Sequence, residues 1–145
     1  MKKVLIFPYN SVILFDLVKR CGHEPLTIMD QVEERLRSEE ASPPYNVGCD
    51  DAVHGLKYCP VEVPSGVRGR VAVLAPLVEQ AQAAVFTLNP RYSFGSSGCA
   101  RANETIRHLV AMKGIPTLSA EFPRNDEETR NFVHSIVNFL HKLEG

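Results

Sequence analysis

Apolar residues run together over 4–7 (V-L-I-F) and again over 83–88 (A-A-V-F-T-L), whereas in the segments around these runs they recur every three or four positions. The first pattern belongs to strands buried on both faces, the second to helices that bury one stripe. Strand 4–7 is ended by Pro8 and Asn10, and Ser11 is placed to cap a helix over 12–21 that buries Ile13, Leu14, Leu17 and Val18. Lys19 and Arg20 fall in its last turn and Gly22 stops it. A short strand over 25–29 follows, then a polar helix from Asp30 to about position 40 with Val32 and Leu36 inward.

The stretch 41–64 holds four prolines, two glycines and two cysteines without a sustained period, which predicts a long irregular connection. It is either a functional loop or a surface meander pinned by Tyr45, Leu56 and Tyr58. From Ser65 to about position 81, Val67, Val71, Leu74, Val78 and Ala81 share a stripe. Pro76 interrupts it, so the preferred reading is a helix capped by Ser65 and kinked at Pro76; the alternative makes 70–75 a strand with Pro76 opening a shorter helix. After strand 83–88 comes a helix over about 99–113 with Ile106, Leu109, Val110 and Met112, ended by Gly114. A strand over 115–120, a turn at Phe122-Pro123-Arg124 and a capping-box start at Asn125 and Glu128 lead into a last helix that buries Phe132, Val133, Ile136, Val137, Leu140 and Leu143.

Strands alternating with helices predict right-handed crossovers and a parallel sheet. The expected fold is α/β, three-layered and Rossmann-like or flavodoxin-like, with about four parallel strands in the order 2-1-3-4 and a single domain over 1–145.

Charge changes this picture only by exclusion. With 16 basic and 17 acidic residues the net charge is −1, so no global field gathers nucleic acid or an anionic membrane. The apolar run after Lys2 and Lys3 is too short for a secretion signal, and no run reaches bilayer length, so a cytoplasmic location is expected. Cys21, Cys49, Cys59 and Cys99 are then read as thiols rather than disulfides, and no C-x-x-C pair occurs.

Candidate chemistry concentrates at the carboxyl ends of the strands, where open α/β sheets bind ligands. The turn Gly95-Ser96-Ser97-Gly98 before Cys99 offers backbone N–H groups at a helix start, a setting that favours an anion or a thiolate. Cys99 is accordingly the candidate nucleophile, against the reading of a small packing residue, while Cys21 reads as a core thiol and the histidines at 23, 108, 134 and 141 as ordinary surface or helix-edge residues. Asn10, Ser11, Ser65, Gly66, Arg68, Arg70, Arg91, Ser96, Ser97, Gly98 and Arg101 are the candidate ligand-binding set, the arginines suiting carboxylate or phosphate; Arg124 reaches the same edge. Position 105 is threonine, where a low-pKa phosphatase loop would need arginine. No G-x-G-x-x-G, P-loop or G-x-S-x-G motif is present. Cys49, His54 and Cys59, five residues apart, with Cys99 as a fourth ligand, form a candidate metal or iron–sulfur set whose spacing matches no standard signature.

The phrases K-V-L-I-F-P-Y-N-S at 3–11, C-G-H-E-P-L at 21–26, V-P-S-G-V-R-G-R at 63–70 and G-C-A-R-A-N-E at 98–104 resemble the methanogenesis marker protein 5 family over nearly the whole chain. The resemblance implies a cytoplasmic accessory role in methane-producing archaea, in maturing or activating methyl-coenzyme M reductase or its cofactors, with a protein partner or an anionic small molecule as ligand. The segment E-F-P-R-N-D-E-E-T-R at 121–130 is faintly similar to the ends of 2-hydroxyacyl-CoA dehydratase subunits, which carry iron–sulfur clusters.

Overall fold

A computed structural model of the chain describes residues 1–29, 47–89 and 97–144. It divides into two compact units, one formed by Met1–Thr27, Gln80–Ser93 and Ile115–Gly145, the other by Ile28–Glu79 and Phe94–Gly114.

The first unit is built on a parallel sheet of β1 (Lys3–Phe7), β2 (Glu24–Leu26), β3 (Ala83–Leu88) and β4 (Thr117–Glu121) in the order β2-β1-β3-β4. This is the α/β topology expected from the sequence. Register pairs Val4 with Ala83 and Phe7 with Phe86, and Ala84 with Thr117 through Leu88 with Glu121. Val4, Ile6, Ala83 and Val85 point to one face, where they form a core with Leu14 and Val18 of α1 (Val12–Arg20) and Ile136 and Leu140 of the last helix, Asp126–Lys142. Leu5, Ala84 and Phe86 on the other face are buried as well, which is why both runs read as continuously apolar.

Local signals set the ends of these elements. Ser11 Oγ accepts from the Leu14 N–H at 3.3 Å and so caps α1. At its other end Gly22 adopts φ +77°, its N–H donating to the Lys19 carbonyl and that of His23 to the Val18 carbonyl. That double closure is a Schellman turn, and it drives His23 inward. The last helix starts at an Asn125 cap whose Oδ1 accepts from the Glu128 N–H at 2.8 Å, while Glu128 reaches back to the Arg124 N–H at 2.8 Å.

His23 departs from expectation. It is not a surface residue but 4% exposed. Its Nδ1 accepts from the Lys2 N–H at 3.2 Å, and Nε2 lies 3.0 Å from the Leu140 carbonyl. An acceptor role at one nitrogen leaves the proton on the other, so the ring is a neutral bridge between the amino-terminal strand and the last helix.

The second unit contains α2 (Cys49–His54), a short 3-10 turn at Gly55–Lys57, α3 (Ser65–Gln80) and α4 (Ser97–Lys113); the last helix of the chain is α5. Where it is described, the connection 41–64 is helical over 49–57, in α2 and the 3-10 turn, and without helix or strand over 58–64; the six residues of α2, with an exposed Val53, carry too little periodicity to be read in advance. The helix expected from Asp30 to about 40 lies outside the described residues. One helix spans the region of Pro76, which settles 70–75 as helix rather than strand. Its first residue is Ser65, inside the helix rather than at its cap, and the Pro64 carbonyl accepts from the Val67 and Arg68 N–H groups instead. β4 begins at Thr117, two residues later than the apolar pattern suggests.

α3 buries Val67, Val71, Val73, Leu74, Leu77 and Val78, and α4 buries Ala102, Ile106 and Val110. Lys113, in the last turn of α4, donates to the Val78 and Glu79 carbonyls at 2.8 and 2.6 Å and so closes the carboxyl end of α3. Glu79 accepts from Lys57 Nζ at 2.8 Å and the Tyr58 hydroxyl at 2.7 Å. These two hydrogen bonds hold its carboxyl below the usual carboxylate range. A depressed folded-state pKa contributes stability that is present above the unfolded value and is lost as pH falls through the folded one. Glu79→Gln should accordingly lower stability slightly at neutral pH and leave it unchanged at the most acid pH, so that the acid limb of a urea-stability profile is flatter, a small effect because the group is solvent-screened.

Candidate functional site

The candidate residues fall in both units. Asn10 and Ser11 lie at the carboxyl end of β1 in the sheet unit, Asn10 exposed and Ser11 engaged as the cap of α1. Arg91 and Ser96 lie outside the described residues, and Ser97 and Gly98 open α4. Ser65, Gly66, Arg68, Arg70, Cys99 and Arg101 all belong to the helical unit.

Within that unit a cavity of about 500 Å³ lies between the starts of two helices. Glu62, Val63, Pro64 and Val67 form one wall, and Ala100, Arg101, Glu104 and Thr105 the other. The second wall follows from helical spacing, since residues three and four apart share a face. Thr105 Oγ1 donates back to the Arg101 carbonyl at 2.9 Å, and Glu104 is paired with Arg107 at 3.1 Å. Arg101 is exposed and lines the cavity, opposite the apolar Val63, Pro64 and Val67. Among the described residues the lining carries one arginine, Arg101, beside the Glu62 carboxylate and the Arg107-paired Glu104, near the amino-terminal ends of two helices, where partial positive charge favours a negatively charged group.

Arg68 and Arg70 take other roles. Arg68 Nε donates to the Val63 carbonyl at 2.9 Å and Nη1 to the Ala52 carbonyl, tying α2 and the turn before α3 to α3 itself. Arg70 Nη1 donates to the Gly66 carbonyl at 2.8 Å, one turn earlier in its own helix. The sequence marked the Ser65–Gly66 start and Arg101 but missed Glu62, Glu104 and Thr105; helical spacing from Arg101 is the signal that would have found the last two.

The four cysteines are in different settings. Cys21 and Cys59 are buried, and burial raises both thiol pKa values, with Glu144 adding to the rise at Cys21 and Arg68 partly opposing it at Cys59. Cys49 is exposed on α2, and Cys99, the third residue of α4, is partly exposed. Among the described residues no group of three or more His, Cys, Asp or Glu side chains is arranged to hold a metal ion, so Cys49, His54, Cys59 and Cys99 are not brought together around one point. With a thiol reagent at neutral pH, Cys49 is expected to react first, and Cys21 and Cys59 only on unfolding, as peptide mapping of the labelled sites would show.

No helix among the described residues is long and apolar enough to cross a membrane. No solved structure matches the chain significantly. An uncharacterized protein of the methanogen Methanocaldococcus jannaschii, MJ0404, is 47% identical over 145 residues, covering 99% of this chain and 97% of that protein. The family described as an uncharacterized protein conserved in archaea, DUF2112, matches residues 2–143. A match over nearly the full length, together with a relative this similar, shows that the chain belongs to the archaeal family DUF2112.

Proposed function

We propose that the protein is an accessory factor associated with methanogenesis which binds an anionic cofactor, or an acidic element of a partner protein, at the cavity between the starts of α3 and α4. The observation that carries this reading is Arg101 in the lining of a cavity near two helix N-termini, with Glu104 already paired to Arg107. The relative from a methanogen and the resemblance to the methanogenesis marker 5 phrases support the setting, and with it a role in maturing or activating methyl-coenzyme M reductase. Apolar positions Val63, Pro64 and Val67 would take the uncharged body of such a ligand.

The test is a thermal-shift screen of phosphorylated and carboxylated cofactors against the native chain and Arg101→Ala. A ligand that raises the melting temperature of the native chain should bind Arg101→Ala about tenfold or more weaker, the loss expected for a charge-assisted hydrogen bond. Equal shifts in both proteins would sink the reading. A second reading uses Cys99 as a thiolate nucleophile, favoured by its partial exposure in the first turn of α4 while Cys21 and Cys59 are buried. Full function in Cys99→Ser would exclude it.

A further inference from the structure

β4 is the edge strand of the sheet, and its free side has a definite chemistry. The Pro116 carbonyl accepts from the Ala84 N–H and the Phe122 N–H donates to the Leu88 carbonyl, both at 3.0 Å. Backbone groups alternate in direction along a strand, so Leu118 and Ala120 also turn theirs to β3, while Thr117, Ser119 and Glu121 turn theirs outward. Those outward N–H and C=O groups have no partner among the described residues. All three side chains are exposed, on the face opposite Leu118, which packs toward the core. Natural edge strands are usually blunted by lysine, proline or a bulge, and T-L-S-A-E at 117–121 has neither lysine nor proline.

We infer that β4 pairs antiparallel with β4 of a second copy of this chain about a two-fold axis through Ser119, joining two four-stranded sheets into one. The strand is self-complementary in that register. Ser119 faces its twin, Thr117 faces Glu121, and Leu118 faces Ala120, so no like charges meet and every outward N–H and C=O of 117, 119 and 121 finds a partner. The small side chains of Ser119 and Ala120 at the centre allow close approach of the second backbone. Beside β4 a groove of about 430 Å³ separates it from α5, whose Asn131, Phe132 and Ser135 line the far wall. A two-fold axis normal to the sheet puts both α5 helices on the same side, with these stripes facing across it. A foreign strand would satisfy the backbone, but nothing in 117–121 specifies one; the symmetric register is what selects a second copy.

The experiment is sedimentation equilibrium and native mass spectrometry of the full chain with three variants at position 119. Native protein should be dimeric at micromolar concentration. Ser119→Pro removes only an outward N–H, so the β3 ladder keeps its bonds, yet it should weaken dimerisation about a hundredfold or more. Ser119→Lys and Ser119→Glu each oppose like charges on the axis and should be monomeric alone, while an equimolar mixture should form the mixed dimer. A monomeric native chain at the highest concentration reached, or dimers that persist in both Ser119→Lys and Ser119→Glu, would overturn the proposal.

Discussion

Gly55→Ala is expected to destabilise the chain by about 2–3 kcal/mol, the usual cost of forcing an extra carbon into a closed contact. Gly55 is buried at the junction of α2 and the 3-10 turn, with helical backbone angles of φ −63° and ψ −16°. Nothing in its conformation calls for glycine. The constraint is space, because a Cβ there would collide with the carbonyl group of Arg68 in α3. Backbone cannot rotate away as a side chain would, and this segment is pinned further by the bonds from the Arg68 guanidinium to Val63 and Ala52. Alanine gains up to about 1 kcal/mol over glycine in helix propensity, so the collision has to outweigh a favourable term. Gly69 is a milder case, since its Cβ would meet the Val47 side chain, which can move. Urea unfolding of both variants should therefore rank Gly55→Ala below Gly69→Ala; a Gly55→Ala protein as stable as the native chain would show that α2 and α3 do not meet so closely.

His23→Ala is the second large effect, expected at about 2–4 kcal/mol from the lost packing and an orphaned donor. The imidazole is the only partner seen for the Lys2 N–H among the described residues, so removing it leaves that group unmet at the amino-terminal end of the inner strand β1. The Leu140 carbonyl suffers less because it also accepts from the Leu143 N–H at 3.0 Å. His23→Gln should recover part of the loss by offering a carbonyl to Lys2, and the comparison of the two variants by thermal and urea unfolding separates hydrogen bonding from volume. Equal stability of His23→Ala and the native chain would contradict the bridge.

Burial on both faces is a property that the sequence displays locally, and β1 and β3 were legible for that reason. The helix of 126–142 was legible because Phe132, Ile136 and Leu140 repeat at helical spacing beside an Asn125 cap. His23 was not legible, because what buries it is a carbonyl 117 positions away, reached only after the Schellman turn redirects the chain. Nor was α2, whose six residues fall short of two turns and expose Val53. Strand β4 starts late because, at a sheet edge with alternate residues exposed, the apolar Ile115 ahead of it is no guide to pairing.

The candidate site was legible only as residue types. Arg68 and Arg101 look alike in the sequence, yet one spends its donors on the Val63 and Ala52 carbonyls and the other lines a cavity. A guanidinium's role depends on which carbonyls fold within its reach, and spacing along the chain does not encode that. The turn before Cys99 drew notice for its glycines and serines, whereas the cavity wall lies one to two turns further along, at Ala100, Arg101, Glu104 and Thr105.

The most direct test of the account is an amide chemical-shift titration of the full chain with the phosphorylated or carboxylated cofactor that gives the largest thermal shift. Binding at the proposed cavity should move resonances of 62–67 and 100–105 and leave those of β1, β3 and α5 in place. Shifts centred on any other region, or the same shifts in Arg101→Ala at the same ligand concentration, would contradict it.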